Sequence, residues 1–242
     1  MKVGIVGAGR IGATLASHLK LAGHHVFLSN SRGPESIQDK ADAAGVVAVY
    51  ATDAVRDVDV VIVSVPFGSI PDLKELIAKA PAGAVIIDTS NYFPFRDDAF
   101  AGDTTESQWV SAQLNRPVQK AWNSVLAGSL ANKGLPKGAV GRIALPVAGD
   151  DPRSKQVALE LVEDTGFDAV DAGTLEASWR QEPGNPAYCT DLSIADLHKA
   201  LARADRSKAG ARRDLVAQKV TSAREDYTNE DILALSRSVY NT

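Results

Sequence analysis

The feature that most constrains this fold is a glycine-rich turn near the start of the chain. Residues 2–6 are apolar enough for a buried parallel strand, and they lead into Gly7–Gly12, which reads GAGRIG. In this G-x-G-x-x-G spacing the first glycine permits a tight turn, the second lets a pyrophosphate approach the backbone, and the third lets helix and strand pack closely. Because the motif follows a strand and opens a helix, it predicts a dinucleotide site rather than an ordinary strand-turn-helix unit.

The segment after this turn is predicted to be an amphipathic helix. Its apolar face has the spacing i, i+3, i+4, i+7 and consists of Gly12, Leu15, Ala16 and Leu19. Gly23 is placed to end the helix. The N-terminus of such a helix would face the phosphates of a bound nucleotide.

The residues after the second strand, His25–Leu28, indicate which nicotinamide cofactor binds. An NAD site has Asp or Glu there, which binds the ribose 2′-hydroxyl, whereas this chain has Ser31 and Arg32. The Ser31 hydroxyl can donate a hydrogen bond and the Arg32 guanidinium can bind a phosphate, so the pair favours NADP(H) over NAD(H). The alternative is that Arg32 is a solvated charge before the Gly33-Pro34 turn.

Strand-like and helix-like segments alternate along most of the chain. Apolar and β-branched runs predict further strands at 46–49, 59–65, 84–88, 117–122, 142–149 and 166–170. Helices are predicted at 70–80, 106–114, 152–164 and 192–202. This alternation predicts an α/β fold, with a Rossmann-type doubly wound, mostly parallel sheet and a small C-terminal helical region.

Two predicted domains follow from this pattern. Residues 1–172 are expected to form the NADP-binding Rossmann-type domain. Residues 173–242 are expected to form a helical region that contributes to an acceptor pocket or to a dimer contact.

Two loops at the carboxyl ends of the predicted strands are candidate parts of the nicotinamide site, because ligands of doubly wound sheets bind there. Val65 and Pro66 follow the fourth strand, and Asn91 follows the fifth. Pro66 has a fixed backbone without an N–H and suits the edge of a flat ring, and the Asn91 amide can bind ribose or carboxamide. Both residue types are also common in plain turns, so a loop role is the alternative.

Several segments in a particular order resemble one enzyme family. They are Gly7–Gly12, Ser31-Arg32, Val65-Pro66, residues 145–151 (LPVAGDD) and residues 171–175 (DAGTL). Over about residues 1–178 the chain resembles the F-420-dependent NADP oxidoreductase family. The resemblance implies hydride transfer between NADP(H) and the 8-hydroxy-5-deazaflavin coenzyme F-420 (F420), with the two rings stacked near each other.

The resemblance also implies cofactor contacts at individual positions. The glycine turn would hold the pyrophosphate through Ala8, Gly9, Arg10 and Ile11. Ser31 and Arg32 would hold the 2′-phosphate. The route to the nicotinamide would be lined by Val65, Ser69, Asn91 and Ala127.

Two departures from the family's pattern concern the redox acceptor. Asn123 stands where a family member can carry His, and residues 179–191 extend the chain where shorter members end with an apolar helix. Within this extension, Arg180 can hold an anionic substrate. Trp179, Tyr188 and Cys189 can line a pocket, and the alternative for Trp179 and Tyr188 is that they belong to an interdomain core.

Two other functions stay open on the residues alone. A carbonyl or imine acceptor would need a proton donor, for which the candidates are Tyr188, Asp191 and Lys120, with Asn123 as a polarising donor. Asn123 and Tyr188 are the candidate catalytic residues under this hypothesis. The third possibility is an NADP(H)-binding redox sensor that signals through a partner without turnover.

Composition limits the expected partners and compartment. The formal net charge of −4 gives no reason to expect nucleic acid or an anionic membrane as partner. One cysteine, no apolar leader and no run of membrane-spanning length favour a cytoplasmic protein. No His and Cys cluster predicts a metal site, and the basic stretch 203–213 is expected to be a solvated or partner-facing surface. The expected partner is a small-molecule redox acceptor, and pairing into a homodimer through the C-terminal helices is a further expectation.

Overall fold

The computed structural model describes residues 1–98, 104–222 and 227–240. Within these ranges one sheet has the strand order β3-β2-β1-β4-β5-β6-β7-β8. Its strands are β1 (Lys2–Val6), β2 (His25–Ser29), β3 (Val47–Ala48), β4 (Val60–Val63), β5 (Val85–Asp88), β6 (Val118–Lys120), β7 (Ala144–Gly149) and β8 (Asp168–Asp171).

The strand directions confirm the predicted fold class. Strands β1 to β6 are parallel to their neighbours, in the order 3-2-1-4-5-6 that is typical of doubly wound dinucleotide-binding sheets. Strand β7 runs antiparallel to β6, and β8 is parallel to β7. The sheet is therefore mostly parallel, with two reversed strands at one end.

Helices cover the sheet and form the C-terminal region. The helices in the described residues are α1 (Arg10–Leu21), α2 (Gln38–Ala44), α3 (Ala51–Ala54), α4 (Lys74–Ile77), α5 (Glu106–Leu114), α6 (Ala127–Asn132), α7 (Pro152–Asp164), α8 (Ile194–Ala202), α9 (Arg206–Ser222) and α10 (Asn229–Tyr240). Short 3₁₀ turns occupy Pro34–Ile37, Phe67–Ser69, Pro71–Leu73 and Ser178–Gln181. No described helix is both long enough and apolar enough to cross a membrane.

Alternate residues of the central strands supply two cores, one on each face of the sheet. In β4, Val60 and Ile62 belong to the core beneath α1 and α7, whereas Val61 and Val63 belong to the core beneath α4 and α5. All four side chains are fully buried. This explains why the strand is continuously apolar, since a parallel strand covered on both faces has no solvent side.

The sequence correctly predicted the buried face of one helix and the bounds of two others. In α1 the buried positions are the four predicted ones, Gly12, Leu15, Ala16 and Leu19. Helix α5 has the predicted bounds because Thr105 and Gln108 form a reciprocal capping box. Helix α7 also has its predicted bounds, with Asp151 accepting a hydrogen bond from the Ser154 N–H and Pro152 in the first turn.

The prediction of one helix over residues 70–80 was wrong. Two 3₁₀ turns, Phe67–Ser69 and Pro71–Leu73, precede a single α-helical turn, Lys74–Ile77. Pro71 begins the second 3₁₀ turn, a position where its missing N–H costs no hydrogen bond. Ile70 and Ile77 are both fully buried, so their packing under the sheet holds the connection in this broken form.

The C-terminal region packs against the reversed end of the sheet. Leu192 forms an antiparallel bridge with Ala144 of β7, and Leu197 and Ala200 of α8 join a core cluster with Val170 of β8. The division into 1–172 and 173–242 stays a prediction.

Two glycines allow helices α9 and α10 to pack closely against the rest of the chain. A Cβ at Gly184, whose φ is +91°, would lie 1.9 Å from the Ala209 carbonyl oxygen of α9. A Cβ at Gly128 of α6 would lie 2.4 Å from Asn229 Oδ1 of α10. Both glycines therefore let a C-terminal helix approach closely.

Candidate functional site

The parallel strands end level with one another at one edge of the sheet. Val6 pairs with Ser29 on one side and with Val63 on the other. Asp88 pairs with Val63 and with Lys120. The loops after these strands therefore begin side by side along what is called here the carboxyl edge, where doubly wound folds bind ligands.

The three motif glycines differ in what surrounds them. A Cβ at Gly7 would lie 2.1 Å from the Ser64 carbonyl oxygen, and its φ is +114°. A Cβ at Gly12 would lie 1.9 Å from the Gly7 carbonyl oxygen, whereas one at Gly9 would meet nothing within 4 Å. Gly7 thus makes the tight turn, Gly12 permits close packing, and Gly9 faces open space that a pyrophosphate can approach.

The first turn of α1 is available to an anion. Gly9 is the N-cap, and among the described residues no side chain caps this end of the helix. The backbone N–H groups at the start of α1, including those of Arg10 and Ile11, point out of the helix end toward the turn. Lys40 of α2 donates to the Ala8 carbonyl oxygen at 3.0 Å and adds a positive charge.

Lys40 was not identified in the sequence because nothing there distinguishes it from an ordinary exposed helix lysine. It lies with Gly9 and Arg10 along a groove of about 530 Å³ between α1, α2 and α6. Ala127 and Gly128 line the same groove. The tertiary structure thus brings Ala127 beside the glycine turn, more than a hundred residues away in sequence.

Ser31 and Arg32 lie on the surface just beyond β2. Both side chains are exposed, and Asn30 shapes the turn by accepting a hydrogen bond from the Arg32 N–H at 3.0 Å. Asn30 also donates to Ser36 Oγ at 2.7 Å, which holds the following 3₁₀ turn against it. An exposed hydroxyl and guanidinium at the end of the second strand suit a 2′-phosphate.

The loop after β4 is anchored by a buried aromatic ring. Phe67 is buried and stacks on Trp109 with ring centroids 4.3 Å apart. The Ser69 N–H donates to the Pro66 carbonyl oxygen at 3.0 Å, which closes the turn. Pro66 remains exposed, and a Val65 methyl lies 3.2 Å from where a Gly7 Cβ would be, so this loop adjoins the glycine turn.

Three amide side chains form a cluster at the ends of β5 and β6. Asn91 Nδ2 donates to the Asn123 carbonyl oxygen at 2.9 Å, and Asn123 Nδ2 donates to Asn91 Oδ1 at 3.0 Å and to the Gln181 carbonyl oxygen at 2.9 Å. Gln181 Nε2 donates to Asn123 Oδ1 at 2.9 Å. Both Asn123 amide hydrogens are thus used within this amide cluster, whereas one amide hydrogen of the half-buried Asn91 has no acceptor among the described residues.

Beneath the amide cluster lies a buried ion pair. Lys120 Nζ donates to Asp88 Oδ2 at 2.9 Å and to the Ser90 carbonyl oxygen, and both charged side chains are fully buried. Burial alone would lower the pKa of Lys120, but the Asp88 and Glu106 carboxylates raise it above its usual value. Lys120 therefore holds its proton firmly and is a poor proton donor.

A buried carboxyl group that the sequence did not reveal adjoins this pair. Glu106 Oε2 lies 3.9 Å from Lys120 Nζ and has no hydrogen-bond partner among the described residues. The Glu106 N–H donates to Glu182 Oε1 at 2.8 Å. Burial, then the nearby Glu182 charge, raises the pKa of Glu106 well above its ordinary value. At the start of a helix a glutamate normally serves the helix dipole, so its sequence position carried no other signal.

Tyr188 lies beside the loop that contains Asn123. The Cys189 N–H donates to the Ser124 carbonyl oxygen at 2.8 Å, and the Tyr188 ring is 6.4 Å from that of Tyr240. Burial raises the pKa of the Tyr188 hydroxyl well above its ordinary value. Within the described residues no hydrogen bond joins Tyr188 to the amide cluster, so its catalytic role stays a prediction.

Several groups that can bind a nucleotide lie along the carboxyl edge. A cradle for phosphates, an exposed arginine and an amide with a free hydrogen lie along this edge, with an aromatic-anchored loop between them. In residues 1–98, 104–222 and 227–240 no group of three or more His, Cys, Asp or Glu side chains is arranged to hold a metal ion.

Comparison with known proteins places these features in context. The profile of the family described as "NADP oxidoreductase coenzyme F420-dependent" matches residues 2–92. Protein YjhV of Escherichia coli (strain K12) is 41% identical over 105 residues, which are 43% of this chain and 77% of YjhV.

Solved structures share the fold over most of the chain. The hypothetical protein SMa0349 from Sinorhizobium meliloti is 33% identical with a TM-score of 0.70, covering 79% of this chain and 94% of that one. A protein from Arthrobacter sp. FB24, described as a candidate F420-dependent NADP reductase, is 20% identical with a TM-score of 0.59 and covers 74% of this chain and 87% of its own. The likeness to the Arthrobacter protein concerns the fold alone.

Proposed function

Because this chain belongs to the family described as NADP oxidoreductase, coenzyme F420-dependent, and is an NADP-dependent oxidoreductase, we propose that it transfers a hydride between NADP(H) and the deazaflavin coenzyme F420. The observation that carries the proposal is the difference in surroundings among the three glycines of the glycine turn. Gly7 and Gly12 are closely surrounded, Gly9 faces open space, and α1 begins there without a side-chain cap. Such a cradle fits the pyrophosphate of a dinucleotide.

The chain's own residues bind and orient the nicotinamide cofactor. The backbone of the glycine turn and Lys40 hold the pyrophosphate, and Ser31 and Arg32 hold the 2′-phosphate. Bound NADPH supplies a hydride, two electrons with one hydrogen nucleus, which the deazaflavin accepts together with one proton from solvent. The free amide hydrogen of Asn91 binds the carboxamide or ribose and fixes the ring at the carboxyl edge.

Transfer between two rings makes little demand on acid or base residues. The protein contributes mainly by orienting the rings and excluding water. Lys120 and Asp88 form an ion pair in the interior, and the Asn123 amide is hydrogen-bonded to neighbouring loops. All three side chains are buried, so we assign them to the support of the neighbouring loops rather than to the reacting atoms.

The direct test is an acceptor assay with purified protein. NADPH is mixed with F420, and in separate reactions with a panel of small carbonyl and imine compounds, while the absorbance of the nicotinamide and deazaflavin bands is followed. We expect oxidation of NADPH with stoichiometric reduction of F420, and much slower oxidation of NADH. Tight NADPH binding without oxidation by any acceptor would contradict the proposal and favour a redox sensor.

A small carbonyl or imine substrate is the second candidate, and one observation favours it. Glu106 Oε2 is buried without a hydrogen-bond partner among the described residues, and burial raises the pKa of both Glu106 and Tyr188, which favours the protonated form of each. A carbonyl or imine acceptor needs such a proton, whereas a deazaflavin does not need one from the protein. In the same assay, turnover with the carbonyl or imine panel but not with F420 would favour this candidate.

A further inference from the structure

An arginine-rich surface lies where the segment 179–191 meets helix α9. The Arg180 guanidinium carbon lies 4.7 Å from the centroid of the Trp179 ring, and that of Arg206 lies 5.4 Å from the same centroid. Two guanidinium groups thus contact one indole ring. Among the described residues neither of them forms an ion pair with a carboxylate.

A third arginine continues this surface. The Arg213 guanidinium carbon lies 5.5 Å from the centroid of the Tyr92 ring. Arg206 and Arg213 are seven residues apart on α9 and therefore share one face of that helix. The close approach of α9 to Gly184 holds this face over the extension.

The three arginines contact aromatic residues that adjoin the amide cluster in sequence. Tyr92 is next to Asn91 in sequence, and Trp179 is two residues before Gln181, whose side chain binds Asn123. The arginines therefore contact segments next to the amide cluster, which the proposed function assigns to the nicotinamide. Stacking on an aromatic face leaves the N–H groups at the edge of a guanidinium free for a second partner.

The charge balance of this surface is positive. Glu182 is the carboxylate that faces both Arg206 and Arg213, and its Oε1 already accepts from the Glu106 N–H. Asp214 Oδ1 accepts from Arg213 Nε at 2.8 Å. Two arginines held on one ring repel each other, and a bound anion would relieve that repulsion.

We propose that Arg180, Arg206 and Arg213 form a binding site for an anionic group, phosphate or carboxylate, on the redox partner. The inference rests on the proposed function, because it assigns the non-reacting end of the molecule whose ring accepts the hydride. A planar fork of donors stacked on an aromatic ring binds either anion in a bidentate manner. Binding energy from this remote group would position the reacting ring.

The test uses the whole chain saturated with NADP⁺, so that the glycine turn is already filled. Two probes are titrated by calorimetry at low salt: inorganic pyrophosphate for the phosphate source and tricarballylate for the carboxylate source. We expect at least one probe to bind saturably, to bind more weakly as salt is added, and to lose about tenfold or more in affinity in Arg180→Gln and in Arg206→Gln. The probe that binds more tightly identifies the source of the anion.

Lys208→Gln is the matched control. Lys208 is on the same helix as Arg206 but two residues further along, which places it on the opposite face, and its replacement removes the same charge. The control should bind the probe like the parent protein. Equal affinities in the parent, in Lys208→Gln and in Arg180→Gln/Arg206→Gln, or no binding of either probe to the parent, would overturn the inference.

The two proposals fail in distinguishable ways. NADP⁺ is titrated first into every variant, and thermal melting checks that each one folds. Absence of NADP⁺ binding by the parent contradicts the proposed function, whereas normal NADP⁺ binding with no arginine-dependent anion binding contradicts only this inference.

Discussion

The side chains of Asn91 and Asn123 are hydrogen-bonded to each other across the ends of β5 and β6, with Asn123 Nδ2 3.0 Å from Asn91 Oδ1. A second hydrogen bond, from Asn91 Nδ2 to the Asn123 carbonyl oxygen at 2.9 Å, fixes their orientation. The pair joins the loop after one strand to the loop after the next. It leaves Asn91 as the member with a donor free for a ligand.

Asn123→Ala should destabilise the fold. It removes three hydrogen bonds, which takes a donor from Asn91 Oδ1 and from the buried Gln181 carbonyl oxygen and an acceptor from Gln181 Nε2. We expect a loss of about 1–3 kcal/mol in the free energy of unfolding, measured by urea denaturation. The control is Gln156→Ala, which removes an exposed hydrogen bond to Glu160. Equal losses in the two variants would show that the amide cluster has no structural role.

Arg32→Ala should change cofactor preference. Loss of a charge-assisted contact to the 2′-phosphate should raise the KM for NADPH about 10- to 100-fold and leave that for NADH nearly unchanged. Arg56→Ala is the control, since Arg56 is an exposed arginine paired with Asp53. Steady-state kinetics with both cofactors provides the measurement, and equal effects on NADPH and NADH would rule out the 2′-phosphate assignment.

Gly9→Ala and Gly12→Ala should have different consequences. At Gly9 a methyl group meets nothing within 4 Å, so the fold should keep its Tm, while NADPH affinity falls because the methyl group occupies the space for the pyrophosphate. At Gly12 a methyl group would lie 1.9 Å from the Gly7 carbonyl oxygen, and stability should fall by about 1–3 kcal/mol. Thermal melting and NADPH titration separate the two effects. Undiminished NADPH affinity in Gly9→Ala would contradict the assignment of the glycine turn as the pyrophosphate site.

Glu106→Gln should alter how stability depends on pH. The pKa of Glu106 is raised in the folded protein from an ordinary value of 4.5, chiefly by burial. Its contribution is therefore fully present below about pH 4.5 and is lost as pH rises through the folded-state pKa. The parent should lose stability relative to Glu106→Gln as the pH rises above about 4.5, as measured by urea denaturation. Glu160→Gln, an exposed change on α7, should show no such trend, and parallel curves for parent and Glu106→Gln would refute the burial argument.

Much of the fold could be predicted because its signals are local. The predicted bounds 106–114 and 152–164 are those of α5 and α7, where the structure shows caps at Thr105 and Asp151, and the apolar run Val60–Val63 marked a buried strand. The segment 70–80 failed because burial of Ile70 and Ile77 decided its path, and burial depends on neighbours that are distant in sequence.

The residues of the candidate site fall into the same two groups, those that the local sequence predicts and those that only the fold brings together. Gly7–Gly12, Ser31 and Arg32 could be read from the sequence, since a tight turn and the choice of cofactor depend on residue types at short spacing. Lys40, Gln181 and Glu106 could not be, because each has an ordinary neighbourhood in sequence and a special one only in the fold.

The sequence by itself determined the strand, turn and helix that make a dinucleotide cradle, because backbone sterics and helix-end chemistry act over a few residues. Only the tertiary structure decided which side chains meet at the carboxyl edge. The strand register placed Asp88 beside Lys120, and the packing of α9 on Gly184 brought Arg206 over Trp179. These contacts join residues that are far apart along the chain, and no local sequence pattern encodes them.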